Sequence, residues 1–247
     1  MNNGIDSPDD VDTAPRLRKP SKGIYMLPNM ITLAALFAGF YAVVMAMNGR
    51  FDLATVGIFS AMVLDSLDGR VARMTNTQSA FGEQMDSLSD MVSFGAAPAL
   101  ISYVWALKNL GRWGWIAAFV YCACAALRLA RFNARIDMAD QPHKSAGFMT
   151  GVPAPVGAGL AFLPMYLWVV SDRPEFRQPV VVGIWLAVIA FLMISNVATL
   201  TWTSLRPRRS IRLELLALLA MIGAALLTEP WWTLVGICVL YLAMLPY

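Results

Sequence analysis

Charged residues are scarce in this chain of 247 residues, at 14% of the total. A soluble domain usually has about 25%. Hydrophobic residues make up 58%, which is more apolar surface than a soluble chain of this length can bury. The composition excludes a soluble enzyme and a disordered chain, and it predicts an all-α integral membrane protein.

Cysteine and histidine are also rare. Cys122, Cys124 and Cys238 lie inside apolar runs, and His143 is the only histidine. A thiol in such a run behaves as a small hydrophobic side chain, so we expect neither a disulfide scaffold nor a zinc site. Residues 1–23 contain no apolar run, which indicates a partly disordered cytosolic tail rather than a cleavable signal peptide.

Long apolar runs are what the chain has in abundance. A bilayer needs about 20 mostly apolar helical residues. The sequence predicts about eight transmembrane helices, at residues 27–47, 52–68, 87–107, 113–130, 152–170, 179–201, 212–228 and 231–246. With the N-terminus inside, 14 of the 19 Lys and Arg residues fall on that same side. Such an excess marks the cytosolic face, so we predict that both termini are cytosolic.

A polar stretch, residues 64–90, interrupts the apolar pattern. Asp65 and Asp68 share one face of a predicted helix, and Asp86 and Asp90 share a face of the next. A short polar link predicts an antiparallel hairpin in which the four carboxylates converge at the cytosolic helix ends. Ionisable groups at membrane depth are costly and usually functional. Oxygen-only ligands favour Mg²⁺, Mn²⁺ or Ca²⁺, so the hairpin predicts a divalent-cation site.

Glycine and arginine accompany these carboxylates. Gly69 and Gly82 leave room for a ligand to approach the backbone, and Arg73 suits phosphate oxygens through its charge and planar fork. A solvated acidic loop, in which Arg70 and Arg73 pair with the acids, stays open as a simpler interpretation. Helix packing through Gly69, Ala72 and Gly82 also stays open, and it is compatible with a ligand site.

The fixed positions of this stretch resemble the signature of the CDP-alcohol phosphatidyltransferase family. They are Asp65, Asp68, Gly69, Ala72, Arg73, Gly82, Asp86 and Asp90. The resemblance implies a helical membrane fold with a six-helix catalytic core, a homodimer, and a polar cavity open to the cytosol. It also implies transfer of a phosphatidyl group from CDP-diacylglycerol to an alcohol, with release of CMP.

The same resemblance implies roles for individual residues. Two divalent cations, Mg²⁺ or Mn²⁺, would be bound, one by Asp65, Asp68 and Asp86 and the other by Asp65, Asp86 and Asp90. Asp90 would also be the catalytic general base for the attacking hydroxyl. The CDP moiety would contact residues from the first span and the acidic stretch, namely Asn29, Thr32, Gly69, Ala72, Arg73, Ser79 and Gly82.

Two further segments resemble the branch of the family that uses L-serine as acceptor. They are LRLARFN at residues 127–133 and FMTGVPAPVGAG at residues 148–159. An amino acid brings a carboxylate, and Arg128 and Arg131 can lie on one helix face to bind it. From these segments the predicted contacts to the acceptor or the lipid phosphate are Arg128, Arg131, Asn133, Gly151 and Pro153.

Other interpretations stay open. Arg128 and Arg131 can instead anchor the cytosolic face to lipid headgroups, and Gly151 and Pro153 can simply shape the start of a helix. The acceptor can be glycerol 3-phosphate, inositol or choline. An acidic-site cation transporter predicts carboxylates near mid-membrane and an inverted repeat, and a membrane prenyltransferase would not need the intervening Gly, Ala and Arg.

These expectations divide the chain into three parts. They are a cytosolic tail at 1–23, a catalytic transmembrane core at 24–205, and a C-terminal two-helix membrane extension at 206–247. We expect the protein in the cell's inner (plasma) membrane, with the active site facing the cytosol and with no nucleic-acid partner.

Overall fold

The computed structural model describes residues 26–77, 79–137, 149–195, 198–199 and 212–245. The α-helices in these ranges are α1 (Met26–Met47), α2 (Phe51–Thr75), α3 (Ala80–Asp90), α4 (Ala97–Trp105), α5 (Arg112–Asp137), α6 (Ala154–Ala161), α7 (Leu163–Ser171), α8 (Pro179–Ile194), α9 (Arg212–Thr228) and α10 (Pro230–Met244). A π-helical segment, Met91–Ala96, joins α3 to α4. Short 3₁₀ helices lie at Leu107–Leu110 and Pro174–Arg177.

These segments form eight helical units within the described ranges. The reason is that α3, the π segment and α4 are continuous, and only Phe162 separates α6 from α7. Three units are long and apolar enough to cross a membrane, namely Met26–Met47, Arg112–Ala134 and Ala154–Ser171. Three further apolar helices are shorter, at Pro179–Ile194, Ala217–Thr228 and Pro230–Met244. This is the build of a multi-pass membrane protein.

Large apolar side chains cover the outside of the helices. Phe37, Phe191 and Leu227 are 69%, 73% and 88% exposed. A surface that stays apolar over several helices is unsuited to water and suited to lipid.

Small residues allow α1 to approach its neighbours closely. A Cβ added at Gly57 of α2 would lie 2.9 Å from the Cβ of Ala42, and one added at Gly39 would lie 2.8 Å from the Cα of Ser93. Small residues at helix interfaces in membranes permit this backbone contact. As a result, α1 packs against both α2 and the helix that follows the acidic hairpin.

Capping residues fix the two ends of the hairpin turn. Asn76 takes the left-handed conformation, with φ of 51°, and its N–H donates to the carbonyls of Ala72 and Arg73. Ser79 begins α3 by accepting a hydrogen bond from the N–H of Gly82 at 3.0 Å. Both are standard ways to satisfy the free groups of helix ends. Helix α2 therefore reaches Thr75, beyond the apolar run that ends near residue 68.

The predicted span 179–201 is too long, because α8 ends at Ile194. Beyond it, Ala198–Thr199 form strand β2, which pairs antiparallel with β1, Met149–Thr150. The apolar pattern continues through this pair, so hydropathy alone does not reveal the change from helix to strand.

The predicted span 152–170 is interrupted in its middle. Pro164 has no N–H to donate to the carbonyl of Leu160. The indole Nε1 of Trp185, on α8, donates to that carbonyl instead, at 2.8 Å. The carbonyl left free at the break between α6 and α7 thus receives a hydrogen bond from the neighbouring helix α8.

Candidate active site

Three of the four predicted metal-binding carboxylates converge where α2 and α3 face each other. Side-chain oxygens of Asp65, Asp68 and Asp86 all lie within 4.8 Å of one another. Asp65 and Asp68 come from one face of α2, and Asp86 comes from α3. The helical register of the sequence therefore does bring these acids together.

Asp90, the predicted base, joins this group through Asp65, whose carboxyl group lies beside its own. It lies at the end of α3, immediately before the π segment. Two neighbouring carboxylates repel each other when both are ionised, and a divalent cation relieves that repulsion. Asp90 is thus next to the cluster rather than apart from it.

The donor set fits divalent cations. The Oδ1 atom of Asp86 is buried and has no hydrogen-bond partner among the described residues. No ion pair within the described ranges neutralises Asp65, Asp68 or Asp86; Arg50 and Asp52, which do form one, are elsewhere on the chain. Like charges this close repel one another, and hard cations with oxygen ligands relieve that repulsion. These contacts do not favour a solvated loop with Arg70 and Arg73 as partners.

Thr32 connects the start of α1 to this cluster. Its hydroxyl donates to Oδ2 of Asp68 at 2.7 Å, and both residues are 4% exposed. Ser89 of α3 donates to the carbonyl of Thr32 at 3.3 Å. The three helices are therefore joined by polar contacts at one place, next to the carboxylates.

A cavity of about 190 Å³ opens beside the cluster. Its lining includes Pro28, Asn29, Thr32, Asp68, Gly69, Ala72, Arg73, Thr77, Ser79, Gly82, Glu83 and Asp86. All seven residues predicted to bind the CDP moiety are in that set, together with two of the carboxylates. A nucleotide in this cavity would lie against the cation site.

Glycine at position 69 keeps part of this cavity open. A Cβ added at Gly69 meets no atom within 4 Å, so the small residue is not required by packing. At Gly82 an added Cβ would lie 3.2 Å from the Asn29 and Ser79 oxygens. Gly69 therefore has the surroundings of a ligand-contact residue, and Gly82 has those of a packing residue as well.

The predicted acceptor residues divide between two places. Asn133 donates through Nδ2 to the hydroxyl of Ser87 at 2.9 Å, which joins α5 to α3 beside Asp86. Arg128 is half-buried, its Nε has no hydrogen-bond partner in the described chain, and it lies in electrostatic range of Asp90. Asn133 therefore contacts the acidic hairpin directly, and Arg128 lies within electrostatic range of its last carboxylate.

The other three predicted acceptor residues lie around α6 and α8. Arg131 donates to the carbonyl of Ile194 at 3.0 Å. Gly151 has φ of 81°, and an added Cβ would lie 2.6 Å from the Met193 carbonyl oxygen, so only glycine fits there. Pro153 precedes α6 and lines a second cavity, described next. Arg131 and Gly151 thus help to hold the junction of α5, β1 and α8.

The second cavity, of about 270 Å³, is largely apolar. It lies between α2, α6, α7 and α10, and its lining includes Met62, Pro153, Tyr166, Cys238 and Tyr241. Met62 is one turn before Asp65 on α2. The apolar cavity therefore comes within one helical turn of the acidic cluster along α2.

Sequence reasoning missed several residues of these cavities. Glu83 shares a face of α3 with Asp86, a spacing that could have revealed it. Pro28 and Thr77 flank predicted positions without a pattern of their own. Tyr241 lies in an apolar helix that also contains Trp231 and Trp232, and only the packing of distant helices places it at the cavity.

Comparisons with known proteins agree with this geometry. Residues 25–202 match the CDP-alcohol phosphatidyltransferase family, and residues 210–246 match CDP-alcohol phosphatidyltransferase 2. The chain is 33% identical over 230 residues to the CDP-diacylglycerol–serine O-phosphatidyltransferase of Mycobacterium tuberculosis, covering 91% of this chain and 78% of that protein.

Two further relatives have the same name. The protein from Helicobacter pylori is 35% identical over 181 residues, covering 72% of this chain and 73% of the relative. The protein from Bacillus subtilis is 32% identical over 171 residues, covering 69% and 88%. With the matched residues, the acidic hairpin and the helical fold in agreement, this chain belongs to the CDP-alcohol phosphatidyltransferase family.

Proposed function

We propose that this membrane protein transfers the phosphatidyl group of CDP-diacylglycerol to the hydroxyl of L-serine, forming phosphatidylserine and releasing CMP. The observation that carries the proposal is the cluster of Asp65, Asp68 and Asp86, of which Asp68 and Asp86 line a cavity together with Gly69 and Arg73. The serine acceptor is supported by relatives named for that reaction, which match most of the chain.

Different residues of the cavity would contact different parts of the donor. Arg73 offers a planar cation to phosphate oxygens, and Gly69 leaves space for the pyrophosphate to approach α2. Asn29 offers amide groups from the start of α1. The diacylglycerol tails belong in the surrounding lipid, which explains why the site lies at the ends of membrane helices.

The acidic cluster would hold two cations, Mg²⁺ or Mn²⁺, through Asp65, Asp68, Asp86 and Asp90. When bound, they would neutralise the charge of the pyrophosphate and stabilise both the attacking and the leaving oxygen. Thr32 holds Asp68 in place through its hydrogen bond.

Asp90 is the proposed general base. Its carboxylate takes the proton of the serine hydroxyl as the oxygen attacks the lipid-linked phosphorus. A new phosphorus–oxygen bond to serine forms while the bond to CMP breaks, and CMP leaves with the electron pair. Arg128, in electrostatic range of Asp90, is the proposed partner of the serine carboxylate.

The membrane arrangement follows the same proposal. Eight transmembrane helices would place the active site and both termini on the cytosolic face of the inner membrane, and the chain would form a homodimer around a six-helix core. The division into residues 1–23, 24–205 and 206–247 is supported by the separate family matches at residues 25–202 and 210–246.

An acceptor panel tests the proposal. Purified protein in detergent is given CDP-diacylglycerol and Mn²⁺ or Mg²⁺ with L-serine, glycerol 3-phosphate, inositol or choline, and CMP release is measured. We expect release that depends on serine and stops in a chelator. Release with another alcohol but not with serine would retain the family chemistry and refute the assigned acceptor.

A further inference from the structure

Two threonines at the end of α2 form a short chain of hydrogen bonds. The hydroxyl of Thr75 donates to the carbonyl of Val71 at 2.7 Å, and the hydroxyl oxygens of Thr75 and Thr77 lie 2.7 Å apart. A hydroxyl group has one proton to donate and can accept two hydrogen bonds. Since Thr75 gives its proton to Val71, Thr77 is the donor between the two threonines. The opposite direction would leave the Thr77 proton without a partner among the described residues, which is unfavourable in a buried group.

The direction of this chain makes Thr77 an acceptor for any further partner. Its only hydroxyl proton is used by Thr75, and its oxygen still has a lone pair. Thr77 is 4% exposed and is part of the lining of the polar cavity. Its N–H donates to the carbonyl of Ala72 at 3.0 Å, so backbone and side chain both hold it against α2. A fixed, buried acceptor in a cavity wall favours a ligand group that donates a hydrogen bond over one that accepts.

The order of residues along α2 indicates which part of the donor meets Thr77. Asp68 belongs to the carboxylate cluster, Arg73 follows about one turn later, and Thr77 comes directly after the helix end. From Asp68 to Thr75 the helix rises about 10 Å, which is comparable to the separation of phosphate and base in a nucleotide. With the pyrophosphate beside the carboxylates and Arg73, the base of the donor lies at Thr77.

We propose that Thr77, held as an acceptor by Thr75, receives a hydrogen bond from the amino group of cytosine and thereby selects a cytidine donor over a uridine donor. This inference rests on the proposed function, which supplies the cytidine nucleotide. Cytosine has an amino group, a donor, at the position where the other pyrimidine has a carbonyl, an acceptor. A uracil carbonyl would oppose the Thr77 oxygen, and it gains the Thr77 proton only when the bond to Thr75 breaks.

Thr75→Val is the most specific test, because Thr75 does not line the cavity and valine keeps the shape of the side chain. The change removes the acceptor of the Thr77 proton, which frees that hydroxyl to donate to a uracil carbonyl. Calorimetry on the full chain in detergent with Mn²⁺ measures the binding of CMP and of UMP. We expect the wild type to prefer CMP by about tenfold, and Thr75→Val to lose most of that preference by binding UMP more tightly.

Substitutions of Thr77 test the acceptor itself. Thr77→Val should weaken the binding of CMP about tenfold, because the cytosine amino group loses its partner, and should leave the binding of UMP nearly unchanged. Thr77→Ser keeps the hydroxyl and should keep the preference for CMP.

Thr55→Val, on the same helix, is the matched control. The Thr55 hydroxyl donates at 3.0 Å to the carbonyl of Phe51, also four residues earlier, and Thr55 does not line the polar cavity. Its substitution removes the same kind of hydrogen bond, so the ratio of the two affinities should match that of the wild type.

An equal loss of CMP and UMP binding in Thr75→Val would overturn the inference and limit the threonine pair to a structural role. A wild-type preference for CMP in Thr75→Val would overturn it as well, whether or not Thr77→Val folds. Failure of the proposed function has another signature, because the wild-type protein would then release no CMP with serine. The binding of CMP and UMP needs no acceptor and would still be measurable.

Discussion

At the scale of single residues, Thr32 and Asp86 show how the site is prepared for cations. Thr32 provides Asp68 with a hydrogen bond of 2.7 Å, whereas Oδ1 of Asp86 has no hydrogen-bond partner in the described chain. One carboxylate is oriented by the protein, and the other still has a free, buried oxygen. Such a cluster loses stability to charge repulsion until cations bind to it.

The Asp86→Asn variant should have a higher thermal stability without metal and a weaker response to metal. In a chelator the variant should melt above the wild type, because it removes a repelling charge, and about 1 kcal/mol corresponds to roughly 2–4 °C for a chain of this size. Addition of Mn²⁺ should raise the melting temperature of the wild type and raise that of the variant much less. Thermal unfolding in detergent measures both.

Glu83→Gln is the control for this experiment. Glu83 lines the same cavity but is exposed and is not one of the three converging carboxylates. Its substitution should leave the Mn²⁺-dependent shift intact. If Mn²⁺ raised the melting temperature of Asp86→Asn as much as that of the wild type, Asp86 would not be a ligand of the cation.

Gly69 gives a second prediction at the residue scale. Gly69→Ala adds a methyl group to open space, so the fold should be kept or slightly stabilised, by up to about 1 kcal/mol for Ala over Gly in a helix. The KM for CDP-diacylglycerol should rise about tenfold if the pyrophosphate approaches this part of α2. Initial rates at saturating serine measure that constant.

The matched substitution is Gly236→Ala on α10, where an added Cβ also meets no atom within 4 Å. It makes the same change on a helix that does not line the cavity of Gly69, so donor binding should stay unchanged. Equal kinetic effects of the two variants would mean that Gly69 does not contact the donor.

At the scale of elements, a π-helical segment, Met91–Ala96, follows Asp90 directly. A π-helical turn inside an α-helix is often found at functional sites. Here the hydroxyl of Tyr121 on α5 donates to the carbonyl of Phe94 at 3.2 Å, and both side chains are almost fully buried. This contact stabilises the segment that immediately follows the proposed base.

Tyr121→Phe should leave that carbonyl without the hydroxyl and lower the free energy of unfolding by about 1–3 kcal/mol. Because the π segment adjoins Asp90, kcat should fall several-fold while both KM values change little. Tyr41→Phe, at a tyrosine that is 40% exposed on α1, supplies the control. A stability loss without any change in kcat would limit Tyr121 to a structural role.

At the scale of the whole molecule, the sequence predicts local patterns better than contacts between distant helices. The spacing of Asp65, Asp68 and Asp86 already places them on facing helix surfaces, and the structure brings them within 4.8 Å. That success reflects short-range geometry, because a hairpin with a brief turn leaves few ways to pack.

The parts that sequence reasoning missed depend on long-range packing. The indole of Trp185 donates a hydrogen bond to the carbonyl of Leu160, which lies 25 residues earlier in the chain. Strand β1 pairs with β2, which lies nearly 50 residues later. Tyr241 lines the apolar cavity only because α10 packs beside α6 and α7. No periodic pattern encodes such contacts, which arise from how the helices pack around a shared core.

One measurement tests the central claim most directly, namely that the acidic hairpin transfers phosphatidyl to serine. Labelled L-serine and CDP-diacylglycerol are incubated with the wild-type protein and with Asp90→Asn, with Mn²⁺ or with a chelator, and both lipid-bound label and CMP are counted. We predict one serine incorporated per CMP released by the wild type with Mn²⁺, and near-complete loss with the chelator or in Asp90→Asn. CMP release without incorporated serine, or full turnover by Asp90→Asn, would contradict it.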